Sequence, residues 1–208
     1  MNVTEKPTLV WDIDGVKAAT HDAIVASANR TFGLSLGRGD FSEDFVDMTG
    51  QPRAAITEWW LGFCEAEFPY LEPITGMPQV VATLSAYARH EQLTSRRPMF
   101  RSVTELWTQQ HYGEHVDALN MMEIDWDNDP GAHLITKAGR LATIPGAVCL
   151  VDDEPKHCME VAKHGRWAVQ FVTDPVSQRV PIDRPATYLA AYSPAEVEDQ
   201  IMSRVLVA

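Results

Sequence analysis

The residues with the most chemical potential are two acids one position apart, Asp12 and Asp14, which follow the run Thr8-Leu9-Val10-Trp11 and precede Gly15. Side chains two apart in a strand leave on the same side, so both carboxylates project together while Ile13 turns back into the core. Carboxylates crowded in this way repel unless a cation sits between them or one keeps a proton. Either arrangement makes a strand end a place for metal-assisted or acid–base chemistry. A second acid pair, Asp152-Asp153, closes another apolar run beginning at Gly146. The plainer alternative for both pairs is that the acids only bind turn amides at a strand end.

The elements that must position these acids can be read in order. A short apolar run stopping at acids fits a buried parallel strand at residues 8–11 and another at 146–153. After Val16 the pattern turns helical. Ile24, Ala28 and Phe32 recur on one face, with Gly33 as the stop. Asp40-Phe41-Ser42-Glu43 has the form of a capping box opening a second helix toward Met48. Pro52 suits the first turn of a third helix, whose Ile56, Trp59, Trp60 and Phe63 make an apolar stripe read as core. Residues 17–75 therefore read as an all-helical block, closed by Pro69, Pro73, Gly76 and Pro78.

Beyond it, a helix with Val80, Val81, Leu84 and Ala88 on its core face leads to a polar candidate strand at Gln92-Leu93-Thr94. Residues 104–112 read as helix and 118–122 as strand. An acidic loop from Asp125 to Gly131 precedes a helix over about 134–141. Pro155 starts and Gly165 ends a helix behind the second acid pair, residues 167–172 form a strand, and Ser193-Pro194-Ala195-Glu196 caps a last helix with Val197 and Ile201 inward. Strands alternating with helices predict an α/β fold, a doubly wound parallel sheet covered on both faces. In such sheets ligands collect at the carboxyl ends of the strands, where both acid pairs fall.

Composition narrows the function. The 208 residues suffice for one well-cored domain plus a small insertion, and 45% hydrophobic with 22% charged residues is ordinary for a globular chain. A net charge of -12 argues against a nucleic-acid polymer as partner, because polyanion binding needs a basic surface. Three scattered cysteines, Cys64, Cys149 and Cys158, outline neither a disulfide framework nor a zinc site, and a reducing cytoplasmic setting is expected. No apolar leader or membrane-spanning run is visible, so no membrane partner is expected. His111, His115, His157 and His164 lack metal-ligand spacing.

The stretch Asp12-Ile13-Asp14-Gly15 resembles the first motif of the haloacid dehalogenase-like (HAD) superfamily, Asp-x-Asp-Gly. Thr94, Lys137 and Asp152-Asp153 follow in the order of that superfamily's later motifs, and segments such as Pro73-Ile74-Thr75-Gly76 and Leu93-Thr94-Ser95-Arg96 are similar to its cytosolic 5'(3')-deoxyribonucleotidase-like branch. The resemblance implies a Rossmann-like core over 1–16 and 76–208 with a helical cap at 17–75. It also implies a Mg2+-dependent phosphatase acting on small phosphomonoesters, most simply (deoxy)nucleoside monophosphates. In that scheme Asp12 is the nucleophile and Asp14 the general acid and base. Mg2+ takes the Asp12 carboxylate, the Asp14 carbonyl and one acid of Asp152 and Asp153. Thr94 or Ser95 holds phosphoryl oxygens, and Lys137 neutralises their charge. Arg96, Arg97 and Arg101 are further phosphate candidates.

Two positions depart from the resemblance. Lys17 stands where relatives carry an apolar residue, and Glu91-Gln92 puts polar residues before Thr94. The alternatives within the class are a sugar-phosphate or other metabolite phosphatase and a phosphatase of nucleic-acid ends. Outside it stands a catalytically weak protein that binds a phosphorylated ligand or a partner. A dehalogenase is disfavoured, since Asp14 supplies an acid suited to phosphoryl transfer.

Overall fold

The computed structural model describes residues 5–42, 44–124, 134–173 and 179–207. The first strand, β1 (Thr8–Trp11), is buried at every position. It lies inside an all-parallel sheet formed with β2 (Arg89–Thr94), β3 (Ala118–Met121), β4 (Ala147–Asp152), β5 (Trp167–Phe171) and β6 (Tyr188–Ala191), in the order β3-β2-β1-β4-β5-β6. The chain winds outward from β1 to β3 on one side and from β4 to β6 on the other. The order therefore reverses between β1 and β4, the topology that opens a crevice at the carboxyl ends of those strands.

Period-two alternation sorts each strand between two cores. Leu9, Trp11, Cys149, Val151, Val169 and Phe171 pack on one face with α4 (Met77–Leu84), α5 (Arg101–Tyr112) and α8 (Pro194–Gln200). Val10, Leu93, Leu150 and Ala168 pack on the other with α6 (Lys137–Leu141) and α7 (Pro155–Lys163). A sheet buried on both sides accounts for strands that read as unbroken apolar runs.

Between β1 and β2 the described residues form helices α1 (Thr20–Phe32), α2 (Phe45–Thr49) and α3 (Arg53–Glu67) and a 3-10 turn at Phe68–Tyr70. Gly33 ends α1 in the left-handed conformation, φ 66°. The apolar stripe of α3 is continuous with the β1 side of the core.

Several expectations need correction. The cap of α2 is Asp44, whose Oδ1 accepts from the Val46 and Asp47 amides; Asp40 closes a 3-10 turn instead, and Glu43 lies outside the described residues. Helix α4 stops at Leu84, so Ala88 is buried beyond it, just before β2. Helix α6 begins at Lys137, capped by Thr136, rather than near Leu134, and the acidic loop at 125–131 lies outside the described residues. Strand β6 was not anticipated; its Tyr-Leu-Ala-Ala is four residues long and lacks β-branching.

Strand β2 is longer and more central than its polar sequence suggested. Its side chains find partners on neighbouring elements, although His90 Nε2 and Gln92 Nε2 stay buried without one: Trp11 donates to His90 Nδ1 at 2.9 Å, Thr108 donates to Gln92 Oε1 at 2.9 Å, and Asn120 donates to Glu91 Oε2 at 2.8 Å. A buried polar strand is tolerable when tertiary partners restore its hydrogen bonds.

Candidate functional site

The site forms where β1 and β4 end. Asp12, the residue after β1, keeps 8% of its surface, and its amide is tied to the Val151 carbonyl at 2.9 Å, so the two acid-bearing strand ends are fixed against each other. Gly15 turns the chain at φ 76°. A Cβ there would fall 2.4 Å from Asp153 Oδ2, so both conformation and space demand glycine.

Lys137, fully buried at the start of α6, reaches Asp12 Oδ2 at 2.9 Å and Asp152 Oδ2 at 2.7 Å. Asp152 also accepts from the Glu154 amide at 2.9 Å and lies 3.3 Å from His157 Nδ1. His21, in the first turn of α1, approaches Asp153 Oδ2 at 3.2 Å and stacks on Phe41 with centroids 3.9 Å apart.

Asp14 sits on a different set of partners. Thr20 Oγ1 donates to its Oδ1 at 2.6 Å, and Arg96 grips both oxygens, Nε to Oδ2 at 3.0 Å and Nη2 to Oδ1 at 2.7 Å. The guanidinium lies 3.9 Å over the Phe68 ring and donates to Thr104. Such bidentate pairing is the geometry for which arginine is suited.

These surroundings separate the acids electrostatically. Burial, reinforced by Asp152, Asp153 and Asp14 against the opposing charge of Lys137, pushes the Asp12 carboxyl well up. Burial likewise raises Asp153, with His21 opposing. Asp152 is held below the usual carboxylate range, because Lys137 and His157 outweigh its burial. Asp14 is also held low: burial opposes this, but the charge and hydrogen bonds of Arg96 and the hydroxyl of Thr20 prevail.

Asp12, Asp152 and Asp153 each present a carboxylate oxygen within 4.8 Å of the others, all buried. Two of these acids share Lys137 and the third meets His21, so carboxylates crowd a poorly solvated place, and an oxygen-only donor set of this kind fits a hard divalent cation such as Mg2+. The Asp14 carboxylate stands outside this trio.

The sequence candidates thus fall into distinct places. Asp12, Asp14, Lys137 and Asp153 line one cavity of about 220 Å3, as do Ser95, Arg96 and Arg97. Thr94 is fully buried; its hydroxyl accepts the Arg96 amide at 3.2 Å, and it is not among the lining residues. Arg101 pairs with Glu105 and the Leu119 carbonyl away from the cavity, because α5 carries it outward. Lys17 has no exposed surface; its Nζ makes no hydrogen bond and lies 3.7 Å over the Tyr112 ring.

Other residues reach the cavity without having been singled out for it. His157 and His21 touch its acids, and Phe41, Phe45, Phe68 and Phe100 line it. The α3 stripe divides: Trp59 is core, but Trp60 lines the cavity, which overturns its reading as core alone. Adjacent helix positions point about 100° apart, so two successive tryptophans occupy opposite edges of one apolar stripe, and Trp60 packs on the core while also lining the cavity.

No protein-family model matches the chain, and no curated protein matches its sequence. Solved structures do match over almost its whole length. A predicted phosphatase from Clostridium acetobutylicum shares 14% identity at a TM-score of 0.68, covering 96% of this chain and 100% of its own. A haloacid dehalogenase-like family hydrolase from Streptococcus pneumoniae gives 14% identity and 0.66 over the same shares. L-2-haloacid dehalogenase from Xanthobacter autotrophicus, with chloropropionic acid covalently bound, gives 10% and 0.60, again covering 96% and 100%. Together with the parallel sheet and its strand order, these likenesses show that the chain has the haloacid dehalogenase-like fold.

Proposed function

We propose that the protein is a Mg2+-dependent phosphatase that hydrolyses small phosphomonoesters through a phosphoryl group carried on Asp12. The observation that carries this reading is the buried Asp12 carboxylate, paired with Lys137 and clustered with Asp152 and Asp153, with Asp12, Lys137 and Asp153 lining the cavity and Asp152 buried behind them.

In this reading Asp12 attacks phosphorus and the ester oxygen leaves with a proton from Asp14, which must first take up that proton against the hold of Arg96 and Thr20 on its ionised form. Water, deprotonated by Asp14, then displaces Asp12 and releases phosphate. Lys137 opposes the upward push of burial on the Asp12 carboxyl and would offset charge on the phosphoryl oxygens, while the cavity-lining Ser95 would receive them through its amide. Thr94 acts through the turn it shapes, by accepting the Arg96 amide. Asp12, the Asp14 carbonyl, Asp152 and Asp153 are the groups that would hold Mg2+. That ion supplies charge neutralisation and in-line alignment when bound.

We further propose that residues 17–75 form a cap whose closure excludes water from the floor. The aromatic side chains it contributes support a planar organic group on the substrate, a requirement that a (deoxy)nucleoside monophosphate meets through its base.

One observation favours a second reading. Both oxygens of Asp14 are engaged by Arg96 and Thr20, an arrangement suited to a protein that holds a phosphorylated ligand and turns it over slowly. Phosphate release from a panel of nucleotides and sugar phosphates, with Mg2+ or EDTA, separates the two. Turnover that needs Mg2+ and disappears in Asp12→Asn, with the fold intact by circular dichroism, is expected. Turnover retained in the variant would refute the proposed role of Asp12.

A further inference from the structure

The cavity has two chemically different parts. Its charged floor comes from strand ends and the turns after them, with Asp12, Asp14, Lys137 and Asp153 at its centre. Its wall is carbon: Ile24, Phe41, Phe45, Trp60 and Phe68 from the helical segment, and Phe100 from the turn before α5. The rings form one continuous surface. Phe45 and Trp60 have centroids 4.9 Å apart, Trp60 and Phe68 6.2 Å, and Phe68 and Phe100 5.5 Å.

The polar side chains that the helical segment sends into the cavity are engaged by the floor. Thr20 donates to Asp14, and His21 meets Asp153. Arg96 is engaged by Asp14, Thr104 and the face of Phe68. Among the residues that the helical segment brings to the cavity, what remains to offer a hydrogen bond is the Trp60 indole and the Cys64 thiol, which burial pushes up; the cavity's other polar residues, Ser95, Arg97, Glu154 and His157, come from the segments after β2 and β4. At about 220 Å3 the cavity is also smaller than the roughly 300–1,000 Å3 of sites for drug-sized ligands.

From this wall we infer that the substrate's alcohol side is a compact, flat, weakly polar group recognised by stacking, as in an arylmethyl phosphate, rather than a polyhydroxylated sugar. The inference rests on the phosphatase reading of the same site. A sugar presents hydroxyls that lose their water against a carbon wall with too few partners to replace it, whereas an apolar ring gains from the same transfer. Nucleoside monophosphates fall between, bound by the faces of their bases with little reading of the edges. The helical segment therefore selects by shape and polarity, and the floor handles the phosphate common to all candidates.

Benzyl phosphate, ribose 5-phosphate, glycerol 3-phosphate and the nucleoside 5'-monophosphates all release a primary alcohol, so comparing their kcat/KM with Mg2+ isolates recognition from leaving-group chemistry. Benzyl phosphate is expected to exceed ribose 5-phosphate by about tenfold or more, the scale on which apolar pockets discriminate. The nucleotides should lie between, within about threefold of one another, since edge readout is what yields larger ratios. The benzyl-to-ribose ratio should fall by roughly fivefold or more in Trp60→Ala and in Phe45→Ala, each checked for its fold, because each removes stacking area. Equal or better use of ribose 5-phosphate, or a strong preference for one base, would overturn the inference while leaving the phosphatase standing.

If nothing in the panel turns over, the phosphatase reading fails, and binding decides the inference by itself. Tryptophan fluorescence titrations with Mg2+ should show benzylphosphonate binding about tenfold tighter than methylphosphonate. Equal affinities would overturn it.

Discussion

Asp12 and Asp14 leave the same strand end two residues apart, yet the protein treats them as opposites. Asp12 stands in a crowd of acids, shares Lys137 with Asp152, and is pushed up by burial and like charge. Asp14 faces the helical segment, is gripped by Arg96 and Thr20, and is held low. The charge excess around Asp12 asks for a cation from outside, whereas Asp14 has its cation supplied by the chain. Two identical side chains thereby acquire different duties through their neighbours alone.

The largest expected effect tests the division of duties directly. Under the phosphatase reading, Asp12→Asn should lower turnover of any accepted phosphomonoester by roughly 10^4-fold or more, as loss of a nucleophile does. Asp14→Asn should cost about 10^2–10^4-fold, the range for a general acid or base. Equal losses in steady-state phosphate release would erase the distinction.

Lys137→Met comes next and bears on stability. It strands Asp12 and Asp152 in a buried place, at a cost of about 3–5 kcal/mol in urea unfolding. Mg2+ should restore part of that loss, because a divalent cation takes over the missing positive charge. If Mg2+ raises the midpoint of wild type and variant equally, the acids are not the site of its action.

Arg96→Met probes the other acid and should cost about 1–3 kcal/mol at pH 7. Because the folded protein holds Asp14 below its ordinary value, the stabilisation is fully present above the unfolded carboxylate pKa of about 3.9 and is lost as pH falls through the lower folded value. The gap between wild type and variant in thermal melts should therefore narrow below about pH 4. A constant gap would mean that Arg96 acts through its contact with Phe68 and not through charge.

The smallest change lies outside the site and has the opposite sign. Lys17 is buried without a hydrogen bond at Nζ, and burial alone lowers its amine below the lysine range. Lys17→Met keeps the stem and removes the orphaned group, which should add about 1–3 kcal/mol. Below about pH 10.4 the unfolded chain binds a proton that the folded chain holds less tightly, so wild-type stability should rise with pH toward that value. Chemical denaturation of the variant should show this rise flattened.

Strand β1 and strand β2 show what a sequence can and cannot disclose. Thr8-Leu9-Val10-Trp11 is apolar and fully buried, so its type and place could be read directly, along with the acids that end it. The reading succeeded for β4 and for the doubly wound sheet as well, since burial on both faces leaves one pattern of residues. His90, Glu91 and Gln92 reduced β2 to a polar candidate strand at Gln92-Leu93-Thr94 and obscured its first half, because the partners of these side chains lie on β1, α5 and β3. Asp12, Asp14, Lys137, Asp152 and Asp153 can be named as candidates from their order and residue types, and packing brings them to one crevice. That Arg96 would turn to Asp14, that Thr94 would support a turn, and that Trp60 would face the cavity while Trp59 faced the core were not legible in the sequence. Local periodicity, charge pattern and turn chemistry reside in neighbouring residues and are written along the chain. Ion pairs, shared protons and cavity walls join residues tens of positions apart, so they exist only once the packed sheet and helices bring those side chains within a few ångströms.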